Sequence, residues 1–326
     1  MNPPRVRRNL LLPFVFLAFL LAVLATGCAK HSPVGPISQS ALGASPDRIL
    51  TAGFGSGSFY PLSIGNKWTF SGGGSFRVVP GDGSPPYEDF HFAFTESREL
   101  IGTTHHEGTA YVVEEQVHHE IPERASGPFF FWSRMRQDRG GLFALDTLLQ
   151  APPAMDGAAH VSVAGPVSNQ TLRIEPGLWR HGGASDAWLD RFADRVELFR
   201  ESARGIMARR VVPGTPSGLE LKFLVYPLHP GLAWSTRPDF PWPVSVDGME
   251  ALDTPAGKFP AYRISVNPGG TTVHEGEWIY IWYSRFGFLG YSIHTFDEVT
   301  DADGHPTGVV YVYDESMMAT SVAVDR

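Results

Sequence analysis

Cysteine is nearly absent. The 326 residues hold one, Cys28. This excludes an internal disulfide framework, a Cys-based zinc site, an iron–sulfur cluster and cysteine catalysis in the body. Long apolar runs are also missing. The stretch Leu10–Leu24 is 15 residues with Pro13 inside it, short of the roughly 20 that span a bilayer comfortably. No Ser sits in G-x-S-x-G, so the nucleophile elbow is absent. Neither G-x-x-x-x-G-K-[ST] nor a strand-linked G-x-G-x-x-G occurs, and Gly53-Phe54-Gly55-Ser56-Gly57 lies outside any strand-to-helix context. Lysine and arginine are outnumbered 26 to 34 by acids, so a nucleic-acid partner is not expected.

What is present points to strands. Hydrophobic residues make 43% of the chain, enough to bury a core, and aromatics 12%. Glycine (35) and proline (27) are too frequent for a helical bundle. Alternation at a period of two recurs: Trp68/Phe70 after the Gly65-Asn66 turn, then Phe90, Phe92 and Phe94 against His91, Ala93 and Thr95. Further strands are expected at 110–118, 129–135, 142–145, 219–226, 249–253, 262–266, 278–283, 286–293, 296–300, 309–313 and 320–324. Thr254-Pro255-Ala256-Gly257 and Asp301-Ala302-Asp303-Gly304 read as the turns of two hairpins.

One segment breaks the pattern. Across 185–203, Trp188, Leu189, Phe192, Val196 and Phe199 form an apolar stripe at helical spacing. Asp190, Arg191, Asp194, Arg195 and Glu197 fill the other faces, and Ser185 or Asp186 suits the N-cap. A core-covering helix is expected, with a lid over a cavity as the alternative. Residues 146–184 read mostly as loop, with short strands around Val161 and Leu172. The fold expected is mainly β: a large curved antiparallel sheet or open β-barrel with one covering helix at about 185–203. Two smaller β-lobes divided near 146–215 are the alternative.

The N-terminus sets the compartment. Arg5, Arg7 and Arg8 precede the apolar run, and Ala25-Thr26-Gly27 precede Cys28. This is a secretory signal, and it resembles the bacterial lipoprotein signal, or lipobox. Ala25 stands where leucine is commonest in that motif. The resemblance implies cleavage before Cys28 and lipidation of its thiol. An ordinary secretory signal and an uncleaved anchor helix are the alternatives. Cleavage removes three basic residues and no acid, taking the formal charge from −8 to −11. Ala29 rather than Asp follows the cysteine, which by resemblance implies the outer membrane, facing the periplasm or the cell surface. The expected organisation is a signal peptide at 1–27, a Ser/Gly/Pro-rich tether at 28–58 and a β-rich body at 59–326, with 146–215 reading as an insertion.

Candidate chemistry in the body is sparse. The clusters His105-His106-Glu107 and His118-His119-Glu120 carry plausible zinc ligands. About 12 strand residues at roughly 3.3 Å each separate them by about 40 Å. Glu114 and Glu115 are adjacent on a strand and so face apart, which does not suit a glycosidase pair. Asp301-Ala302-Asp303-Gly304 lacks the oxygen ligand at Val299 and the closing Glu of a calcium loop. Trp278, Tyr280 and Trp282 alternate with Ile279, Ile281 and Tyr283: a strand buried on both faces, or one whose face lines a hydrophobic pocket. No catalytic, cofactor or metal residue is assigned.

The segment Tyr60-Pro61-Leu62-Ser63-Ile64-Gly65-Asn66-Lys67-Trp68 resembles the opening of a group of uncharacterised bacterial lipoproteins with a Pro-Leu/Gly-Asn-x-Trp motif. Tyr226-Pro227-Leu228 with Pro230-Gly231 and Trp234, then Thr254–Phe259, then Trp282-Tyr283 through Gly287-Phe288-Leu289-Gly290, follow in the order of that group. The group implies no established activity. By fold analogy its strand pattern is similar to periplasmic carriers that hold acyl chains in a concave sheet. The function expected is a lipid-anchored envelope protein with a binding or maintenance role. A hydrolase with a loop-borne site, in which His105, His118, His160 or His181 meets a carboxylate, is one alternative. A carrier of a hydrophobic ligand is another, and a purely structural protein a third.

Overall fold

Burial alternates with a period of two along almost every strand of the computed structural model, which is what a sheet with one covered face requires. The structure describes residues 59–121, 127–145, 153–156, 184–203, 219–236, 243–268 and 273–325. The expected signal, the tether, Cys28, His160, His181 and the short strands near Val161 and Leu172 lie outside these.

Twelve strands occur in the described chain. They are β1 Lys67–Pro80, β2 Glu88–His106, β3 Thr109–Ile121, β4 Phe129–Asp138, β5 Gly141–Leu145, β6 Glu220–Val225, β7 Ala233–Ser235, β8 Pro243–Thr254, β9 Gly257–Val266, β10 Trp278–Ser284, β11 Gly287–Thr300 and β12 Pro306–Ala323. All pair antiparallel in one sheet of order β6-β5-β4-β3-β2-β1-β12-β11-β10-β9-β8-β7. The two edges meet. The Lys222 N–H donates to the Thr236 carbonyl at 3.0 Å, and Trp234 Nε1 donates to the Lys222 carbonyl at 3.1 Å. The sheet is therefore a nearly closed barrel, as the sequence leads one to expect, and the two-lobe alternative is excluded by its continuity.

Three expected boundaries are corrected. Segments 286–293 and 296–300 are one strand, β11, and 309–313 and 320–324 belong to one strand, β12. The polar stretch Asp314-Glu315-Ser316 looks like a break. It is not, because Glu315 is buried inside the barrel and Asp314 is paired on the outside. β1 also runs straight through Gly72-Gly73-Gly74. A Cβ at Gly72 would lie 2.3 Å from the Phe94 ring, and one at Gly74 would lie 2.6 Å from the Phe92 ring and 2.1 Å from the Asp314 carbonyl oxygen. Absent side chains on β1 make room for the large rings of β2, which restore apolar cover.

The helix α1, Asp186–Ala203, matches the expected stripe. Ser185 Oγ caps it, accepting from the Trp188 N–H at 3.2 Å. Trp188, Leu189, Phe192, Val196 and Phe199 are all buried. They pack on the inner face: Trp188 meets Tyr311 edge-on at 4.8 Å, and Phe192 lies 6.3 Å from Phe76. A helix within a protein draws most of its stability from packing its amphipathic face, so burying each such side chain, at about 1.5–3 kcal/mol, is what holds it. The segment 146–215 that reads as an insertion thus supplies part of the core.

Gly74→Ala is expected to lower stability by at least about 1–3 kcal/mol, because backbone rather than a mobile side chain blocks the new methyl. A urea midpoint equal to that of the wild type would contradict this account of the triple glycine.

Candidate functional site

Polar groups collect on the inner face, where none is expected. β2 continues the face of Phe94 with Glu96 and Arg98, and β3 brings Glu114, Gln116 and His118 opposite them. All five are buried. Arg98 Nε donates to Glu96 Oε1 at 2.8 Å, and its guanidinium lies over the Phe288 ring at 4.3 Å. His118 Nδ1 is 3.5 Å from Glu96 Oε2, and its ring lies 4.8 Å from that of Phe94. Gln116 Nε2 donates to Glu114 Oε2 at 2.5 Å. Glu114 Oε1 and Gln116 Oε1 are buried without a hydrogen-bond partner among the described residues.

Electrostatics follow from this burial. Burial raises the Glu114 carboxyl above its ordinary range. Arg98 opposes the rise, as does the Gln116 amide, and Glu96 adds to it. Burial alone would lower the Arg98 guanidinium, but the carboxylates of Glu96 and Glu114 hold it above its usual value. The nearby Tyr60 and Tyr283 phenols are raised, first by burial. Two carboxylates therefore share one guanidinium in a dry interior, and the site favours binding a proton.

Two more inward carboxylates dock α1. Glu277 accepts from Thr295 Oγ1 at 2.6 Å, from the His274 N–H at 2.6 Å, from the Phe296 N–H at 3.1 Å and from Arg195 of α1. Glu315 accepts from the hydroxyls of Tyr291 and Tyr313, and Arg200 Nε of α1 lies 2.8 Å away. The inner face, where a hydrophobic ligand would sit, is covered by α1 in this structure. A gap of about 20 Å³ lined by Phe223, Ile264, Ile281, Tyr283 and Thr236, whose Oγ1 has no partner among the described residues, has room for about one water.

The residues singled out from the sequence fall apart. His105 pairs with Asp156 at 2.8 Å in an exposed position, at the end of the β2–β3 hairpin opposite His118. Glu115 faces outward and accepts from Trp132 Nε1 at 3.0 Å, while Glu114 faces in. Asp301 Oδ1 accepts the N–H groups of Asp303 and His305, each at 2.9 Å, which makes the stretch a closed hairpin turn. Ile279, Ile281 and Tyr283 point inward. Trp278, Tyr280 and Trp282 stand on the outer face, where Trp278 stacks on His294 at 4.4 Å and Trp282 Nε1 donates to Glu250 at 2.6 Å. Beside them, Asp314 takes His294 Nδ1 at 2.6 Å and Arg77 at 2.7 Å. Burial would raise that carboxyl, but His294 and Arg77 leave it below its ordinary range.

No protein-family model matches the chain, and no curated protein is significantly similar to it. Among solved structures, one similar chain is a candidate lipoprotein from Parabacteroides distasonis, 9% identical, covering 81% of this chain and 98% of that one at a TM-score of 0.31. Another is a candidate exported protein with a YmcC-like fold from Bacteroides fragilis, 10% identical, with the same coverage and a TM-score of 0.31. Likeness at this score carries no weight for function, and the fold rests on the strand pairing above.

Two outcomes are expected of the buried groups. The native state keeps the Glu114 proton above pH about 4.3, where the unfolded chain loses it. Stability should therefore fall as pH rises through that window, by up to about 1.4 kcal/mol per pH unit, and level off above the folded value. Glu114→Gln should remove this component and be at least as stable at pH 7, since its amide can also donate to Gln116 Oε1. An identical pH slope in the variant, from urea unfolding, would refute the assignment. For the helix, Arg200→Met should cost about 3–5 kcal/mol by stranding Glu315. Adding Glu315→Gln should recover most of it, and additive losses in the double variant would sink the pairing.

Proposed function

We propose that the chain is a lipid-anchored protein of the bacterial cell envelope with a non-catalytic binding or maintenance role. The observation that carries this reading is Cys28. It is the lone cysteine, and it directly follows a basic, apolar and small-residue signal. Three acyl chains there would hold the body firmly, since one alone binds marginally. The body agrees with a non-catalytic role. Three of its four described inward carboxylates, Glu96, Glu277 and Glu315, are occupied by arginines, tyrosines and backbone N–H groups rather than set around an open cleft. The pair closest to an acid–base arrangement, His118 and Glu96, is closed off from solvent. Ala29 supports the outer membrane.

Cys28→Ser should leave the β body folded and abolish lipidation, because serine lacks the thiolate needed for the thioether. Labelled palmitate should enter the wild type alone, and the variant should leave the membrane fraction. Equal labelling of both would end the reading. Native mass spectrometry of the detergent-extracted wild type should show no bound small molecule beyond the acyl chains. A stoichiometric hydrophobic ligand would favour the carrier instead.

A further inference from the structure

β2 runs on past the end of β3. β3 pairs with β2 only from Ala93 onward, where it ends at Ile121, so Glu88–Phe92 pair with β1 alone among the described residues. Such an edge presents backbone N–H and C=O groups in the geometry that one more strand would complete. Its side chains are distinctive too. The described chain has four exposed large apolar side chains, and three of them, Tyr87, Phe90 and Ile121, lie on this edge or at its ends. Single exposed apolar groups are ordinary, but a group of them on an open sheet edge marks an interaction site. Phe90 continues the inner face of Phe92 and Phe94. Asp89 and His91 stand exposed on the outer face, with His91 Nε2 at 3.0 Å from Asp89 Oδ1.

We propose that this edge pairs antiparallel with the same edge of a second copy of the chain, in a two-fold dimer with Phe90 on the axis. A two-fold normal to the sheet keeps inner face with inner face, so the axis passes through a residue rather than between two. Centred on Phe90, the pairing uses Glu88–Phe92 in full. It sets the two Phe90 rings side by side and places each Asp89 opposite the second copy's His91, so a carboxylate meets an imidazole at two symmetric places. Centring on Asp89 would instead set carboxylate against carboxylate, which repels. Centring on His91 would bring the second copy's Asp89 to Ala93, whose edge Ile121 already occupies. The residues of the edge thus select one register. The ladder stops at Ile121, on the outward side of β3, so Tyr87 of each copy, just before β2, abuts Ile121 of the other. One contact covers all three exposed apolar side chains and closes the edge to other strands.

The test uses the full chain carrying Cys28→Ser, so that an engineered thiol is the only one and the lipid anchor plays no part. Sedimentation velocity should show a monomer–dimer equilibrium. His91→Asp sets two carboxylates opposite each other at both symmetric places and should raise the dissociation constant about tenfold. Exchanging the pair, Asp89→His with His91→Asp, restores opposite partners across the axis and should return the constant close to the wild-type value. With copper–phenanthroline as oxidant, Phe90→Cys should form a covalent dimer, because residues facing each other across the axis lie about 4.5–5.5 Å apart, within disulfide reach. Asp89→Cys, about 7–8 Å from its own copy, should not. A chain that stays monomeric, with Phe90→Cys uncrosslinked, overturns the second copy as occupant and leaves the edge to a strand of another protein. A dimer in which Phe90→Cys stays reduced overturns the edge pairing. Asp89→Cys cross-linking as readily as Phe90→Cys, or an exchanged pair as weak as His91→Asp alone, overturns the register.

Discussion

The fold depends on neutralising carboxylates that point into the barrel. Glu96, Glu114, Glu277 and Glu315 all lie buried on the inner face. An unpaired buried carboxylate costs several kcal/mol, a large part of a domain's net stability. Each is met differently. Glu96 takes Arg98 from its own strand, and Glu277 and Glu315 take Arg195 and Arg200 from α1. Glu114 shares the field of Arg98 with Glu96 and has the Gln116 amide, a hydroxyl at 3.5 Å and the proton that burial favours. The helix is therefore more than an apolar cover, since removing it would leave two carboxylates inside without their cations.

These groups also fix alignment. The register pairs Glu96 with His118, Arg98 with Gln116 and Leu100 with Glu114. A slip of one residue between β2 and β3 would turn one set to solvent and leave the other facing apolar rings. In a sheet of twelve strands, an apolar inner face alone would tolerate neighbouring registers that bury similar area. Placing charge, donor and acceptor at set heights on facing strands penalises those alternatives through unmet hydrogen bonds. The aromatic contacts act in the same direction but are more forgiving. Phe92, Phe94 and Tyr313 stack near the triple glycine at ring separations of 6.1–6.4 Å, and there the missing Cβ atoms select the height.

Much of this architecture is legible in the residues. The period-two runs locate most strands, and the stripe from Trp188 to Phe199 locates α1 within a residue. The interior polar cluster is legible only in hindsight. Phe90, Phe92 and Phe94 define a face, and two further steps along it reach Glu96 and Arg98. A charged residue on an apolar face reads as the end of that face, because solvent is the usual partner for charge. What keeps the face going is a partner far away in sequence: Gln116 and His118 for β2, and Arg195 and Arg200 for the strands under α1. Alternation specifies which side a residue takes, and says nothing of what stands across from it. The same blindness splits β12 at Asp314-Glu315-Ser316, where one charge goes in and the next goes out.

Charge is placed differently inside the barrel and at its surface. Among the described residues Arg98, Arg195 and Arg200 meet three of the four inward carboxylates, while Asp82, Glu275, Asp301 and Asp303 stand in the turns at the end away from Phe59. Inside, the arginines and the Glu114 proton offset the carboxylates, so the surplus acid of the described chain stands in solvent, where water and salt screen it.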